Sequence, residues 1–378
     1  MLKAIVSYKK VKQAGRHCHC FCDKRELLYL SWSLRIIRIV QNMKSHMSLA
    51  RKIALSLPFT LVVLYVVSCR PDKPAETTKP QEEALFVAPD TNTIPEGDFG
   101  DMIRYGRQLV MNTAYYIGPD GIVSHNLDNK MNCNNCHLDA GTRAYAHNFF
   151  SSHARYPQYR GRENRILTLS ERINNCIERP HHGKPLPLDS KEMVAMVSYM
   201  RWIAQGVPTG EHVKGDNGME LVYPGRPADP EKGALIYAEH CMSCHGKDGQ
   251  GQWNADSSAY IYPPLWGKDS YEGGSSIHRV LKSARFIKAN MPDKLAFWYK
   301  PVLTDEQAID VAAFINDDRI HPRPFPPATV SQYDNTKVKP IDYGRGPYAD
   351  TFSEMQHKFG PFQPIIDYHK ANGLPVVF

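Results

Sequence analysis

Two short motifs in this 378-residue chain combine a pair of cysteines with a histidine. They are Cys133-x-x-Cys136-His137 and Cys241-x-x-Cys244-His245. Two thiols separated by two residues can bond to both vinyl groups of one porphyrin, and the adjacent imidazole can then ligate its iron. One isolated motif would leave open a redox CxxC or half of a zinc site. Two copies in one chain predict two covalently attached c-type haems.

The second motif lies in the frame of a small cytochrome c domain, residues 229–320. Asp229 followed by Pro230 indicates a helix N-terminus ahead of the motif. Thr304 and Gln307 form a capping-box pattern that begins an apolar closing helix. A helix before the motif and another at the end of the domain are typical of a cytochrome c fold.

The first motif has a similar frame, residues 98–206. Apolar spacing predicts an amphipathic helix over 98–112, and the capping run Asp189-Ser190-Lys191-Glu192 predicts a closing helix over about 190–205. The predicted fold is therefore all-α (mainly), with two cytochrome c-like domains, each wrapped around one covalent haem. Residues 207–228 are the predicted linker. Residues 321–378 are rich in Pro, Tyr and Phe with little periodicity, and they predict an extended C-terminal segment.

Each haem iron needs a second axial ligand. In the second domain Met291 is the candidate, because it precedes a proline in a predicted loop, and thioether ligation favours electron transfer. The helical methionines Met193, Met196 and Met200 are predicted core residues instead.

The first domain offers Cys176, the one cysteine outside the motifs and the amino-terminal region. A thiolate ligand would lower the iron potential and keep the sulfur reactive. Two alternatives stay open: His181 or His182 takes the axial position, or Cys176 is a small buried hydrophobe.

The amino-terminal region predicts export. Residues 47–69 combine a basic start, a 15-residue apolar run and a final Cys69, which is the pattern of a bacterial lipoprotein signal. Residues 1–46 are interpreted as a doubtful upstream leader and residues 70–97 as a Pro-rich tether. The predicted location is the periplasm or cell envelope, with a lipid at Cys69 anchoring the protein to a bacterial membrane.

The net charge of +7 does not indicate a nucleic-acid-binding protein. Residues 1–69 hold 12 of the Lys and Arg residues and 2 of the Asp and Glu residues, so the remainder of the chain is slightly acidic. Because the excess positive charge lies in the predicted leader and signal, no nucleic-acid partner is expected.

Several segments resemble the dihaem thiosulfate dehydrogenase and tetrathionate reductase family. The likeness spans about residues 98–320 and is carried by residues 133–142, 159–164, 171–179 and 199–208. The segment around Cys176 is the most specific part, because generic cytochromes c lack it.

The resemblance implies oxidation of two thiosulfates to tetrathionate, or the reverse, at a first haem ligated by His137 and Cys176. It assigns the binding of the sulfur oxyanion to Arg162 and Arg172, a role that suits the guanidinium fork. Electrons would leave through the second haem, whose distal side matches Asn290-Met291, to another periplasmic redox protein.

One position departs from the family pattern. After the ligand cysteine the family usually reads Glu-Arg-Ser, where this chain has Glu178-Arg179-Pro180, and Pro180 lacks both a hydroxyl and a backbone donor. The departure bears on the substrate more than on the haem chemistry. The alternative function is therefore a non-catalytic periplasmic electron-transfer cytochrome c.

Overall fold

A computed structural model describes residues 84–161, 163–326 and 338–378. The predicted leader, the predicted signal with Cys69 and the first half of the predicted tether lie outside these residues. Within the described residues, no helix is both long and apolar enough to span a membrane.

The described chain is mainly helical, with two small antiparallel hairpins. The helices are α1 Asp98–Met111, α2 Thr113–Ile117, α3 Leu138–Gly141, α4 Ser152–Arg155, α5 Leu169–Glu178, α6 Lys191–Ile203, α7 Pro230–His240, α8 Met242–His245, α9 Val280–Asn290, α10 Asp305–Ile315, α11 Glu354–Phe359 and α12 Gln363–Ala371. Strand β1 Gln158–Arg160 pairs with β2 Arg165–Leu167, and β3 Gln252–Trp253 pairs with β4 Tyr260–Tyr262. The predicted fold class is confirmed.

Each domain is built on a helix pair that crosses at a glycine. A Cβ at Gly106 of α1 would lie 2.0 Å from the carbonyl oxygen of Ala195 in α6. In the second domain, a Cβ at Gly233 of α7 would lie 2.1 Å from the carbonyl oxygen of Asp310 in α10. Only glycine allows backbones to approach this closely, so both domains use the same packing device.

The sequence signals for helix ends agree with the structure. The Asp229 side chain caps α7, with Pro230 in its first turn, and Thr304 and Gln307 form the capping box of α10. Ser190 caps α6 through the amide of Met193. Three methionines of α6 are buried in the first core, as predicted: Met193, Met196 and Met200.

The C-terminal segment is partly helical rather than extended throughout. Helices α11 and α12 place Phe359, Phe362 and Ile365 in the core of the second domain. Both helices are short, so they leave little periodicity to detect. Ser353 caps α11, and Pro364 lies in the first turn of α12.

A buried carboxylate joins the parts of this C-terminal segment. Asp350 accepts hydrogen bonds from His357 at 3.0 Å and from His369 at 2.8 Å. The other ring nitrogen of His357 faces the carbonyl of Ile341, and that of His369 faces the carbonyl of Pro375. The side chain of Asp350 is 1% exposed, and each imidazole bridges this buried carboxylate and a backbone carbonyl.

Asp350→Asn is expected to lower the free energy of unfolding by about 3 kcal/mol, because it removes one partner of a buried charged cluster. Chemical denaturation followed by circular dichroism measures the change. Asp367→Asn is the control, since Asp367 is exposed on α12. Equal stability of the two variants would contradict the structural role of Asp350.

The contribution of Asp350 also depends on pH. Burial acts to raise the pKa of Asp350, but hydrogen bonds from His369 and His357 outweigh it and lower the pKa below 3.8. A lowered pKa in the folded state means that the stabilisation is present above about pH 3.8 and is lost as the pH falls through the folded-state value. The difference between wild type and Asp350→Asn should therefore disappear only in strong acid.

Candidate functional site

The first cysteine motif forms a compact turn with its histidine oriented for ligation. The amide of Cys133 donates to the Thr113 hydroxyl at 2.9 Å, which ties the motif to α2. The Nδ1 atom of His137 donates to the backbone carbonyl of His147. This bond fixes the tautomer and leaves Nε2 free to ligate a metal. The motif therefore fits a covalent haem with His137 as its proximal ligand.

Helix α5 places Arg172 and Cys176 one turn apart on the same face. Thr168 and Glu171 form a capping box that begins this helix. Residues four apart on a helix are neighbours, and the Nη1 atom of Arg172 donates to the Cys176 sulfur at 3.0 Å. The structure thus brings together two of the residues that the family resemblance singles out.

Cys176 differs from the motif cysteines in the charge it can hold. Burial acts to raise the pKa of its thiol, but Arg172, His137 and Arg179 outweigh burial and lower the pKa to about 6. Burial raises the pKa of Cys133 to about 11 and that of Cys136 to about 12. The lowered pKa favours the thiolate form of Cys176, which is both a nucleophile and a metal ligand, whereas the motif cysteines have no free thiol once they are bonded to haem.

Further arginines surround this thiolate. Arg179 is 5% exposed and forms an ion pair with Glu163 at 3.2 Å, and Glu163 also accepts from the side chain of Asn175 at 2.9 Å. Burial and the nearby Arg172 both lower the pKa of Arg160. Cations gathered around one sulfur create a positive field that suits a small anion. Arg162, the other predicted oxyanion-binding residue, lies outside the described residues.

Three side chains compete as the second axial ligand opposite His137. The sulfur of Cys176 lies within hydrogen-bond reach of the His137 ring. His181 bonds through Nδ1 to Asn129 at 3.0 Å, and its Nε2 atom lies 4.0 Å from the Cys133 sulfur, whereas the Nε2 atom of His182 faces the backbone carbonyl of Ser270. His181 therefore stays an alternative, and ligation by Cys176 stays a prediction.

The second motif opens into a large cavity. The Nδ1 atom of His245 donates to the Pro263 carbonyl at 2.9 Å, so its Nε2 atom is free to ligate. His245, Met291 and both cysteines of the second motif line a cavity of about 1400 Å³, counting its open mouth. A space of this size with thiol, imidazole and thioether groups fits a haem.

The same cavity extends to the first domain. Cys136 of the first motif lines it together with Phe286 of α9. The attachment sites of the two haems are therefore neighbours, which suits electron transfer between them.

Met291 directly follows the last residue of α9 and begins, in extended backbone conformation, the loop that continues through Pro292. Its neighbour Asn290 is buried and donates its side-chain amide to the carbonyls of Phe286 and Tyr145 at 3.0 and 3.1 Å. Because these bonds occupy the amide of Asn290, Met291 is the better candidate for the distal ligand of the second haem.

Met291→His is expected to lower the potential of the second haem on the order of 100 mV, since axial-ligand choice spans about 0.8 V across haem proteins. A spectroelectrochemical titration measures this potential. Met200→Leu changes a core residue of the first domain and is the control, so it should leave the potential of the second haem unchanged. An unchanged potential in Met291→His would exclude Met291 as a ligand.

A short segment of the first domain, residues 143–148, contacts the surroundings of both His137 and Met291. It is named here the interdomain segment. Arg143 pairs with Asp293 at 3.0 Å, just beyond Met291. The His147 ring stacks on Phe286 at 5.0 Å between centroids, while its carbonyl accepts from His137. The hydrogen bond that orients His137 is thus accepted by His147, and the ring of His147 packs against the second domain.

Sequence reasoning missed this segment and the helical relation of Arg172 to Cys176. The capping box of Thr168 and Glu171 was a readable signal for α5. No local pattern marks His147, because its partners His137 and Phe286 belong to different domains.

Comparisons with known proteins agree with this geometry. Residues 124–209 match the family described as "SoxA/TsdA, cytochrome c domain", and residues 230–317 match the family described as "Cytochrome c". The chain is 34% identical over 258 residues to the thiosulfate dehydrogenase of Stutzerimonas stutzeri, covering 68% of this chain and 79% of that protein. It is 37% identical over 255 residues to the thiosulfate dehydrogenase of Allochromatium vinosum, covering 66% and 88%.

A solved structure is similar as well. It is the as-isolated thiosulfate dehydrogenase (TsdBA) from Marichromatium purpuratum, with a TM-score of 0.58 and 36% sequence identity. The match covers 64% of this chain and 50% of that one, so this chain spans half the length of the solved protein.

Proposed function

The chain belongs to the thiosulfate dehydrogenase family, and we propose that it oxidises thiosulfate to tetrathionate at the first of its two c-type haems. Electrons leave through the second haem. The observation that carries the proposal is the contact between Arg172 and Cys176, which places a stabilised thiolate beside the first attachment motif.

The residues of α5 supply both recognition and a nucleophile. Thiosulfate is a small dianion, and the field of Arg160, Arg172 and Arg179 attracts it. Arg172 has a planar fork that can bind the oxygens of a sulfonate group while one of its nitrogens contacts the thiolate. The substrate sulfur would then lie next to the sulfur of Cys176.

We propose that Cys176 forms a transient sulfur–sulfur bond with the first thiosulfate. Forming this bond from two anionic sulfurs releases two electrons and no proton. Haems held by Cys133, Cys136 and His137 and by Cys241, Cys244 and His245 would supply the two one-electron acceptors for this oxidation. The terminal sulfur of a second thiosulfate then attacks the bonded substrate sulfur, which forms tetrathionate and returns Cys176 as a thiolate. Pro180 offers no side-chain donor to these steps, so the arginines carry the binding.

The test is an assay of the purified dihaem protein with thiosulfate and ferricyanide, with tetrathionate measured as the product. Turnover that requires thiosulfate and yields tetrathionate supports the proposal. A protein whose haems are reduced and reoxidised reversibly, but which turns over neither thiosulfate nor tetrathionate, would be an electron carrier instead.

The membrane anchor and the partner that accepts the electrons are two further proposals. Family membership indicates a location outside the cytoplasm, and we propose that a lipid on Cys69 anchors the chain to a bacterial membrane. Another periplasmic redox protein would receive the electrons. Cys69→Ser should move the protein from the membrane fraction to the soluble fraction; continued membrane association would argue against the anchor.

A further inference from the structure

A loop next to the second haem site displays apolar side chains to solvent. It comprises residues 294–302 and is named here the aromatic loop. Leu295 is 67% exposed, Tyr299 66%, Val302 43% and Phe297 40%. Soluble proteins seldom cluster so much exposed apolar surface in one segment unless another molecule covers it.

The aromatic loop has a defined shape. The amides of Leu295 and Ala296 both donate to the carbonyl of Pro292, at 3.1 and 2.9 Å. Phe297 and Lys300 exchange two backbone hydrogen bonds, at 3.2 and 2.8 Å. Because the conformation is fixed before contact, little ordering entropy is lost when a partner binds.

Two ring contacts further hold the loop. Trp298 packs against Tyr145 of the interdomain segment at 5.4 Å between centroids. Phe297 and Tyr299 stack on each other at 5.4 Å. The largest ring is thus used internally, and the displayed face consists of the smaller rings and aliphatic side chains.

The position of the loop connects it with electron transfer. Pro292, Asp293 and Lys294 line the cavity that contains Met291 and His245. Ile261 lines the same cavity and is 57% exposed. A molecule seated on the aromatic loop would therefore lie beside the mouth of the second haem site.

All the charged side chains of the aromatic loop are positive. Lys294 and Lys300 are both exposed, and residues 294–302 contain no carboxylate. The nearby carboxylates have basic partners: Asp293 pairs with Arg143 at 3.0 Å and Asp305 with Lys288 at 2.9 Å. The apolar face is thus bordered by two positive charges that a partner can match.

We propose that the aromatic loop is the docking face for the redox protein that accepts electrons from the second haem, and that this partner presents an apolar patch rimmed by carboxylates. The proposal rests on the proposed function only for the direction of electron flow. Complexes between electron-transfer proteins have small interfaces and short lifetimes, and opposite charges on the two partners raise the rate of association.

A lipid surface is the other class of occupant, and the structure favours a protein. Trp298, one of the two residue types that membrane interfaces favour, packs against Tyr145 and is only partly exposed. A bilayer on this loop would also cover the mouth of the cavity through which electrons leave.

The experiment uses the dihaem protein reduced with dithionite and mixed in a stopped-flow instrument with oxidised plastocyanin, a soluble copper protein with an acidic surface. Haem oxidation gives the second-order rate constant. In the wild type, the rate constant should fall as ionic strength rises. The double variant Lys294→Glu, Lys300→Glu should lower it about tenfold at low salt. Lys370→Glu, an exposed change on α12, is the control.

A second pair of variants tests the apolar part. The double variant Leu295→Ser, Tyr299→Ser should lower the rate constant about tenfold. Leu235 of α7 is 73% exposed and lies outside the loop, so the control variant Leu235→Ser should leave the rate constant unchanged. These exposed substitutions leave folding largely unchanged. The proposal is overturned if the loop variants match their controls, or if the rate constant rises with ionic strength.

Vesicle binding separates the two occupants. Full chain carrying Cys69→Ser is sedimented with phosphatidylcholine and phosphatidylglycerol vesicles, with and without the loop changes. If the loop changes reduce vesicle binding and spare the plastocyanin reaction, the loop contacts membrane and the proposal fails. Because dithionite replaces thiosulfate, the plastocyanin result does not depend on thiosulfate being the substrate.

Discussion

Replacing Cys176 with alanine is expected to abolish thiosulfate turnover while both haems stay attached. The change removes the nucleophile, and losses of a nucleophile typically reach 10³-fold or more. The four motif cysteines are untouched, so haem content by the pyridine haemochrome spectrum should equal that of the wild type. Low-temperature EPR of the oxidised protein should lose its thiolate-ligated low-spin signal.

Glu178→Ala is the matched control for that variant, since Glu178 is exposed two residues further along the same helix. It should retain wild-type turnover and the same EPR spectrum. Turnover that survives in Cys176→Ala would rule out a sulfur–sulfur bond to this residue. Lost turnover with an unchanged EPR spectrum would instead separate catalysis from ligation.

Arg172→Gln is expected to lower kcat/KM about 10²-fold. One cause is the loss of a charged donor to the oxyanion, which costs this much in comparable sites. The other cause is the thiolate, because Arg172 is the strongest of the groups that offset the effect of burial on the pKa of Cys176. Arg172→Lys keeps the charge but not the fork, so it should recover about tenfold of that loss.

Arg165→Gln provides the comparison for Arg172→Gln. It removes the same charge from an exposed arginine that pairs with Glu171 at the start of α5. Steady-state kinetics with thiosulfate and ferricyanide should show wild-type values for it. If Arg172→Gln and Arg165→Gln behave alike, Arg172 has no part in binding or in stabilising the thiolate.

Much of the fold followed from local signals. The caps at Asp229, Ser190 and Thr304 were read from the sequence because side chains that satisfy free backbone amides have a small set of types and spacings. The haem motifs were equally local, since covalent attachment requires fixed neighbours. The two c-type haems and the cytochrome c fold are confirmed by the family matches.

The candidate site was only partly predictable. Cys176 was identified as the one cysteine without another assignment, and Arg172 was identified by resemblance. Their contact depends on the helix α5, which was not predicted. One partner of His147, Phe286, and one partner of Asn290, Tyr145, lie in the other domain, and such contacts depend on how two surfaces meet. The C-terminal helices α11 and α12 were missed because each buries too few residues to give a period.

The interdomain segment has a consequence for how the protein comes apart. Multidomain proteins often unfold in separate steps because their interfaces are weak. Here, loosening α9 from the first domain would remove the stacking partner of His147 and the hydrogen bond to the Tyr145 carbonyl. The hydrogen bond from His137 to His147 would lose its support at the same moment. Heat or denaturant should therefore melt both domains in one cooperative transition, with the spectra of both haems changing together.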